Sequence, residues 1–532
     1  KAVVQGDVDG ELKDLVQRVI GETDRPIENR FEARRRARAA AEDAIAALRS
    51  EGYYAYRVEP DVPEGDPPRA VVTIAPGPRF HLGPAVVDWR GGQPDEKARQ
   101  DAVSALALTP GGPGRAADLV AAEGRIIAAI QARGYADAVA APRDVVVDHA
   151  DSSVTPTFRI AAGPLVRLEG LQIETAGRSN PAWVRHLAPW AAGDPYDPED
   201  VAELERRLLD TGVYDSVTVA LAPPDKAAPS GLRPVVVALS ERKPRTIEGG
   251  ASYSTSEGAG VNVRWTRYNL LRRADTLSVY GQALDRDSRV GVDVSLPHWL
   301  RAQQTLKTGV ALYKVETDAY DETGLGLHAD VTRRYGRTSY VTVGASLAAS
   351  KTDEITAGTL TSLGRRLVTA SVLGDLLLDR SNDPLNPIRG WRVSARIEPT
   401  LILGDTNLPY LRAVTQGSWY QPLDKVGHTV IATRLRVGRI INGTVDQIPA
   451  SQRFYAGGGG SVRGFNYQGV GPRLANDTPK GGIALIESSL EVRQDITARW
   501  SGAVFVDAGS VGAGVAPTSN LAVGAGIGVR YN

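Results

Sequence analysis

Trp391-Arg392-Val393-Ser394-Ala395-Arg396-Ile397-Glu398-Pro399-Thr400-Leu401-Ile402-Leu403 decides the architecture. One face carries Trp391, Val393, Ala395, Ile397, Leu401 and Leu403, and the other Arg392, Ser394, Arg396 and Glu398. Such alternation marks a strand, whose successive side chains point to opposite sides. A sheet with a charged second face has no dry core to bury there. A sheet that turns its apolar face to lipid and its polar face to a lumen fits, and in lipid only closure into a barrel satisfies strand edges. Residues 521–531 repeat the pattern, with Leu521, Val523, Ala525, Ile527, Val529 and Tyr531 opposite glycines and Arg530.

From Thr246 onward this texture predicts about 14 strands. They lie near 246–256, 259–268, 275–284, 289–296, 304–316, 321–332, 337–351, 365–378, 389–403, 409–422, 427–441, 482–493, 498–511 and 519–532. The longest aliphatic runs, such as 235–239, fall far short of the roughly 18 residues a membrane-spanning helix needs, so any bilayer crossing is made by strands.

The 532 residues include 62 basic and 62 acidic side chains, no cysteine and only six histidines. This balance offers no global attraction to nucleic acid, no disulfide framework or thiolate nucleophile, and little prospect of a histidine metal cluster. The chain starts at Lys1 without a charged-then-apolar leader and contains no methionine, so a secretory signal is expected to have been removed or to lie outside it.

Between the strands at 429–441 and 483–492 runs a connection, 442–481, of about 40 residues, far longer than an ordinary hairpin loop and therefore functional or disordered. It contains Gly457-Gly458-Gly459-Gly460-Ser461-Val462-Arg463-Gly464-Phe465. Consecutive glycines permit positive φ and close backbone approach, which favours tucking into a confined space. Taken alone, the same residues also suit a flexible loop with a solvated arginine. An arginine drawn into a lumen needs a partner, and alternation along 504–509 puts Val504 and Val506 toward lipid and Phe505, Asp507 and Gly509 toward the lumen. Asp507 is the expected partner of Arg463, with Glu487 and Glu491 as competitors and Phe465 packing alongside. The guanidinium fork can hold a carboxylate through two parallel hydrogen bonds, which lysine cannot.

The first 245 residues repeat at a spacing of roughly 80. Leu48-Arg49-Ser50-Glu51-Gly52-Tyr53 recurs as Ile130-Gln131-Ala132-Arg133-Gly134-Tyr135 and, more loosely, as Leu209-Asp210-Thr211-Gly212-Val213-Tyr214. Each glycine follows a helical run, at 31–48, 117–130 and 201–209, where a left-handed C-cap residue is needed. Strand-like segments follow at 56–62 and 70–75, at 145–148 and 156–161, and at 216–220 and 234–239. The predicted unit is β-α-α-β-β, three times over. Its exposed sheet edges suit either a spacer or the capture of an extended chain as an added strand.

Val462-Arg463-Gly464-Phe465 resembles the VRGF signature of the Omp85 superfamily, outer-membrane barrels preceded by periplasmic POTRA domains. Asp379-Arg380-Ser381-Asn382-Asp383-Pro384-Leu385-Asn386-Pro387-Ile388-Arg389-Gly390-Trp391 is similar to the family's turn between strands eight and nine, and Phe505-Val506-Asp507-Ala508-Gly509 is a third likeness. The junctions Pro76-Gly77-Pro78, Ala162-Gly163-Pro164 and Lys243-Pro244-Arg245 resemble links between POTRA units. The resemblance implies three POTRA domains at 1–78, 79–164 and 165–244 and a barrel at 245–532. Because the family closes with 16 antiparallel strands, whereas this pattern stops at Tyr531-Asn532 within a strand, two strands are expected to be missing.

Three POTRA units and a barrel of this size are most similar to the TamA-like branch, the outer-membrane subunit of the translocation and assembly module. That likeness implies insertion of unfolded β-barrel proteins such as autotransporters, a TamB-like inner-membrane-anchored partner, and no catalysis, cofactor or metal. It also implies a first strand, here 246–256, that pairs weakly at a lateral seam; Gly249, Gly250, Ser252, Ser254, Thr255 and Ser256 make it light. The alternatives are a core barrel-assembly protein with two further POTRA domains upstream, a two-partner secretion transporter, a barrel fused to a lipase, and a passive pore. A transporter of that kind begins with a plug helix, whereas 1–5 reads as a strand. The nearest match to the G-x-S-x-G elbow of a lipase, Gly459-Gly460-Ser461-Val462-Arg463, fails at its last position.

Overall fold

The structure, a computed structural model, describes residues 1–8, 10–20, 26–175, 177–254, 258–336, 338–355, 362–497, 499–514 and 521–531. The chain divides into two compact units, Lys1–Gln172 with Ala188–Leu204 and Val219–Val237, and Ile173–Leu187 with Glu205–Thr218 and Ala238–Asn532.

The first repeat is β1 (Val3–Gly6), α1 (Gly10–Val19), α2 (Arg30–Ser50), β2 (Arg57–Asp61) and β3 (Val71–Ala75), with sheet order β1-β3-β2. Asn29 caps α2 by accepting from the Glu32 amide at 2.8 Å, satisfying one of the donors a helix start leaves free. The alanines at 40, 41, 44 and 47 then bring α2 close to Val72 and Ile74 of β3 in a single apolar cluster.

The second repeat is β4 (His81–Leu82), β5 (Val86–Trp89), α3 (Glu96–Ala105), α4 (Ala116–Gln131), β6 (Val139–Asp148) and β7 (Ser153–Ala161). Its first strand is broken in two: β4 and β5 both lie parallel to β7, with Pro84 and its missing N–H at the break. The strand expected at 145–148 begins earlier, at Val139. A register shift between Ala141 and Asp144, around Pro142, had hidden its first half from the alternation pattern.

The third repeat is β8 (Leu168–Thr175), α5 (Pro181–His186), α6 (Pro198–Leu209), β9 (Tyr214–Leu221) and β10 (Arg233–Glu241), ordered β8-β10-β9. Gly52, Gly134 and Gly212 all have positive φ, at 90°, 94° and 68°. The carbonyls of Gly52 and Gly134 then accept from Phe80 and Val166, each at 2.8 Å, where the chain enters the next repeat. A positive-φ glycine thus follows the second helix of each repeat, and in the first two repeats its carbonyl also receives the chain as it enters the next repeat.

The remaining strands form one antiparallel sheet in sequence order: β11 (Arg245–Ser254), β12 (Gly258–Tyr268), β13 (Thr276–Leu284), β14 (Asp287–Leu296), β15 (Gln304–Glu316), β16 (Tyr320–Tyr335), β17 (Ser339–Ile355), β18 (Ser362–Asp379), β19 (Gly390–Gly404), β20 (Leu408–Pro422), β21 (Thr429–Ile441), β22 (Ala484–Asp495), β23 (Trp500–Gly512) and β24 (Ala522–Tyr531). All 14 fall within a few residues of the ranges that alternation gives. Ile247, Val290, Leu312, Val343, Ile397 and Ile527 stand exposed on its outer face, an apolar surface whose solvent is lipid. Among the described residues no ladder joins β11 to β24.

The inner face is not uniformly polar, contrary to the expectation that it has no dry core. Leu367, Ile402, Ile440, Leu485 and Val511 point inward from five strands and bury Val445, Ile448, Phe454 and Val462 of the long connection. A loop drawn into the lumen brings apolar side chains of its own, and these need apolar wall positions.

Turn chemistry explains the quoted stretch at 379–391. Asp379 accepts from the Ser381 amide and hydroxyl at 2.9 and 2.6 Å and from Arg392, whose nearest contact is 2.8 Å. Asn382 caps Ile388 and Arg389, each at 3.0 Å, and Gly390 takes φ 101° where a side chain would meet the Arg380 carbonyl.

Between β20 and β21, Asp424 accepts four backbone N–H groups, from Val426, Gly427, His428 and Thr429, at 3.0, 2.7, 3.1 and 2.6 Å. These bonds, Thr429's foremost, lower its pKa to about 2. Because the folded value lies below the unfolded one of about 3.9, the contribution to turn order is complete above the unfolded value and is lost as pH falls through the folded one. The amides of 426–429 are therefore expected to keep their hydrogen-exchange protection down to about pH 4 and to lose it toward pH 2, after correction for intrinsic rates. Asp424→Ala should lack that protection at every pH.

Candidate functional site

The connection after β21 folds back into the lumen. Gly457 and Gly458 adopt φ 106° and 99°, and a side chain on Gly457 would lie 2.5 Å from the Asn466 carbonyl. Gly459 and Gly460 take no positive φ and face open space, so the backbone demands two of the four glycines. Gly458 N–H bonds the Phe465 carbonyl at 3.0 Å and closes a tight tip that presents Val462 and Arg463 to the wall.

Val462 is fully buried in the apolar cluster, while Arg463 turns to β22 and β23. Its Nε donates to Asp507 Oδ2 at 2.6 Å and its Nη2 to Oδ1 at 2.8 Å, a bidentate pair, and its backbone N–H adds a third bond to Oδ2 at 3.0 Å. Nη1 reaches Glu491 at 2.8 Å, and Nη2 also reaches Ser489 Oγ at 3.1 Å; Ser489 in turn donates to Asp507 at 2.6 Å. Glu491 is shared with Arg493 and Arg530, at 2.8 and 2.9 Å. The guanidinium lies 3.4 Å from the centroid of the Phe505 ring. Asp507 is completely buried, so its charge is answered only by these donors.

The two competitors divide. Glu491 joins the knot around Arg463, whereas Glu487 accepts from Ser461 Oγ and pairs with Arg436 at 3.3 Å. Phe465 is half-buried against the loop's apolar cluster, and the ring beneath the guanidinium is that of Phe505. Small residues on the wall make room for the tip: a side chain on Gly509 would lie 2.5 Å from Val462 Cγ2, and one on Gly524 would run into the Arg463 carbonyl. Arg434 fastens the approach to the tip through the Gly460 and Ser461 carbonyls at 2.9 and 2.8 Å. Phe505 points inward as alternation predicts, and Ser489, opposite Asp507 on β22, occupies an inward position that the same alternation could have flagged.

The seam candidates lie elsewhere, on β11. Gly249, Gly250, Ser252 and Ser254 pair with Val263, Asn262, Gly260 and Gly258 of β12. The other edge of β11 carries no ladder among the described residues, while Thr255 and Ser256 lie outside them. No described group of three or more metal-ligating side chains occurs, and no described helix is long and apolar enough to cross a membrane.

Comparison with known proteins gives two family matches, an Omp85 superfamily domain over residues 269–532 and POTRA domain TamA domain 1 over residues 1–76. Among curated proteins, the outer membrane protein assembly factor BamA of Neorickettsia risticii (strain Illinois) is 22% identical over 355 residues, 65% of this chain and 46% of its own length. The protein of that name from Neisseria meningitidis serogroup B is 21% identical over 508 residues, 83% of this chain and 58% of its own. The chain thus spans about half the length of the curated relatives it matches. In fold it is similar to the crystal structure of BamA from Haemophilus ducreyi lacking POTRA domains 1–3, at TM-score 0.67 and 19% identity over 85% of this chain and 94% of that one.

Proposed function

We propose that this chain, whose barrel is an Omp85 superfamily domain and whose first repeat is a TamA-type POTRA domain, inserts unfolded β-barrel proteins, autotransporters among them, into the outer membrane. An Omp85 barrel with POTRA domains is an outer-membrane protein with those domains in the periplasm. In our reading the domains are POTRA units at 1–78, 79–164 and 165–244 and a barrel at 245–532. The protein acts without catalysis or cofactor, and a TamB-like inner-membrane-anchored protein is its partner, in keeping with the TamA-type first domain.

The observation that carries this reading is the light first strand β11, apolar on its outer face, whose glycines at 249 and 250 and serine at 252 pack little side-chain mass against Val263, Asn262 and Gly260 of β12. A strand edge offers its N–H and C=O groups to any extended chain with little demand on sequence, as insertion of diverse clients requires. In lipid, that pairing lets a client form its first hairpins without exposing bare backbone.

The test uses the full-length protein in liposomes presented with an unfolded outer-membrane barrel. Insertion, followed by heat-modifiable gel mobility, is expected to proceed several-fold faster than in empty liposomes and to need no nucleotide. Steady ion conductance with no change in insertion rate would assign a passive pore instead.

A further inference from the structure

The luminal loop touches the wall at a second charged site, far along the sheet from the Arg463 knot and absent from the sequence reading. Glu354, near the end of β17, is 2% exposed and points into the lumen. Arg365 of β18 approaches its Oε1 at 2.7 Å without an aligned hydrogen bond, and Arg453 of the loop donates to its Oε2 at 3.0 Å. The Ala450 N–H of the loop donates to the same oxygen at 2.7 Å.

The two arginines spend their other donors on loop carbonyls. Arg365 reaches those of Asp446 and Gln447, at 2.6 and 3.2 Å. Arg453 reaches those of Ile448 and Lys480, at 2.8 and 3.0 Å, tying the outgoing leg of the loop to the returning one. Lys480 also pairs with Asp446 at 3.1 Å. Around this site Ile448 and Phe454 are buried against Leu367, Ile402 and Ile440 of the wall.

We propose that Glu354 is a positioning residue that seats the base of the loop through Arg453 and Ala450, independently of the Arg463–Asp507 pair that seats its tip. Three features separate it from an ordinary luminal ion pair. A nearly fully buried carboxylate that loses its cations is left uncompensated, so the site is strongly directional. Glu354 bonds loop backbone, which fixes the path of the loop rather than one rotamer. The two sites share no residue, and β19, β20 and β21 intervene between β18 and β22 in the sheet. The loop therefore has two points of attachment on different parts of the wall, and release of either leaves the other docked. The consequence for insertion rests on the function proposed above; the seating itself does not.

Hydrogen exchange on the full-length protein in liposomes tests it, with heat-modifiable mobility confirming that each variant is folded. Glu354→Gln is expected to speed exchange of the amides at 448–456 at least tenfold and leave those at 461–465 unchanged, and Arg463→Ala should do the reverse. Arg453→Lys keeps a charge facing Glu354 but loses the fork that joins the two legs, and should give an intermediate increase at 448–456. Equal loosening of both regions in either variant, or full protection of 448–456 in Glu354→Gln, would overturn independent seating. If exchange behaves as expected while Glu354→Gln/Arg463→Ala inserts clients at the wild-type rate, the seating stands and the assembly role of the loop fails.

Discussion

Arg463→Ala is expected to free the tip of the luminal loop and lower client insertion at least tenfold, with the barrel still folded. The asymmetry of the knot sets the size of the effect. Without Arg463, Glu491 retains Arg493 and Arg530, but Asp507, completely buried, retains only Ser489 and one backbone N–H. Breaking a buried pair from one side costs roughly 3–5 kcal/mol. The Arg463 side chain keeps 28% of its exposure, so a solvent-discounted cost of about 2–3 kcal/mol is the better estimate, near a hundredfold in tip docking. Asp507→Asn should do less harm, since it removes the stranded charge and leaves Arg463 bonded to Glu491. Arg463→Lys should fall close to alanine, because one ammonium cannot reproduce the bidentate grip on Asp507 together with the bonds to Glu491 and Ser489. Cysteines placed at 463 and 507, in a chain with none of its own, measure tip docking directly through a short crosslinker. Crosslinking yields that fall with added client would tie tip release to insertion, and full insertion by Arg463→Ala would separate the two.

The barrel was legible because each strand runs for nine or more residues with a period of two on its outer face, and lipid on that side keeps the period clean. Where proline interrupts the period, as at Pro84 and Pro142 in the second repeat, strands were shortened or missed. The Arg463–Asp507 contact lay within reach of sequence because a charged loop residue and an inward carboxylate both had to find partners in a confined lumen. Glu354 was not, although its parity on β17 points it inward. Its partners Arg365 and Arg453 are 11 and 99 residues away, and most of the lock is made to backbone groups that carry no sequence signature. The dry cluster around Phe454 was hidden for a similar reason, since Leu367, Ile402 and Ile440 occupy inward positions that read as exceptions to a polar face until a loop covers them.

If β11 is the strand that receives clients, stiffening it should slow insertion without harming the fold. Glycine inside a strand contributes no cross-strand packing and costs chain entropy, so Gly249 and Gly250 hold β11 loosely against Val263 and Asn262 of β12. A side chain at Gly249 has room, its nearest neighbour being the Asn262 carbonyl at 3.8 Å, and one at Gly250 would displace the Asn262 amide by a few tenths of an ångström. β-Branched residues at both positions add about 1–2 kcal/mol of strand preference, which is some tenfold in the equilibrium between a settled β11 and one free to re-pair. Gly249→Val/Gly250→Val is therefore expected to raise thermal stability slightly and cut the insertion rate by about tenfold. A photo-crosslinking residue at Ser252 should capture the client's terminal strand in the wild-type background, and one at Ser288, within the sheet on β14, should not. Equal capture from both positions, or an unchanged rate in the valine variant, would remove β11 from the mechanism and leave the luminal loop as the part that acts on clients.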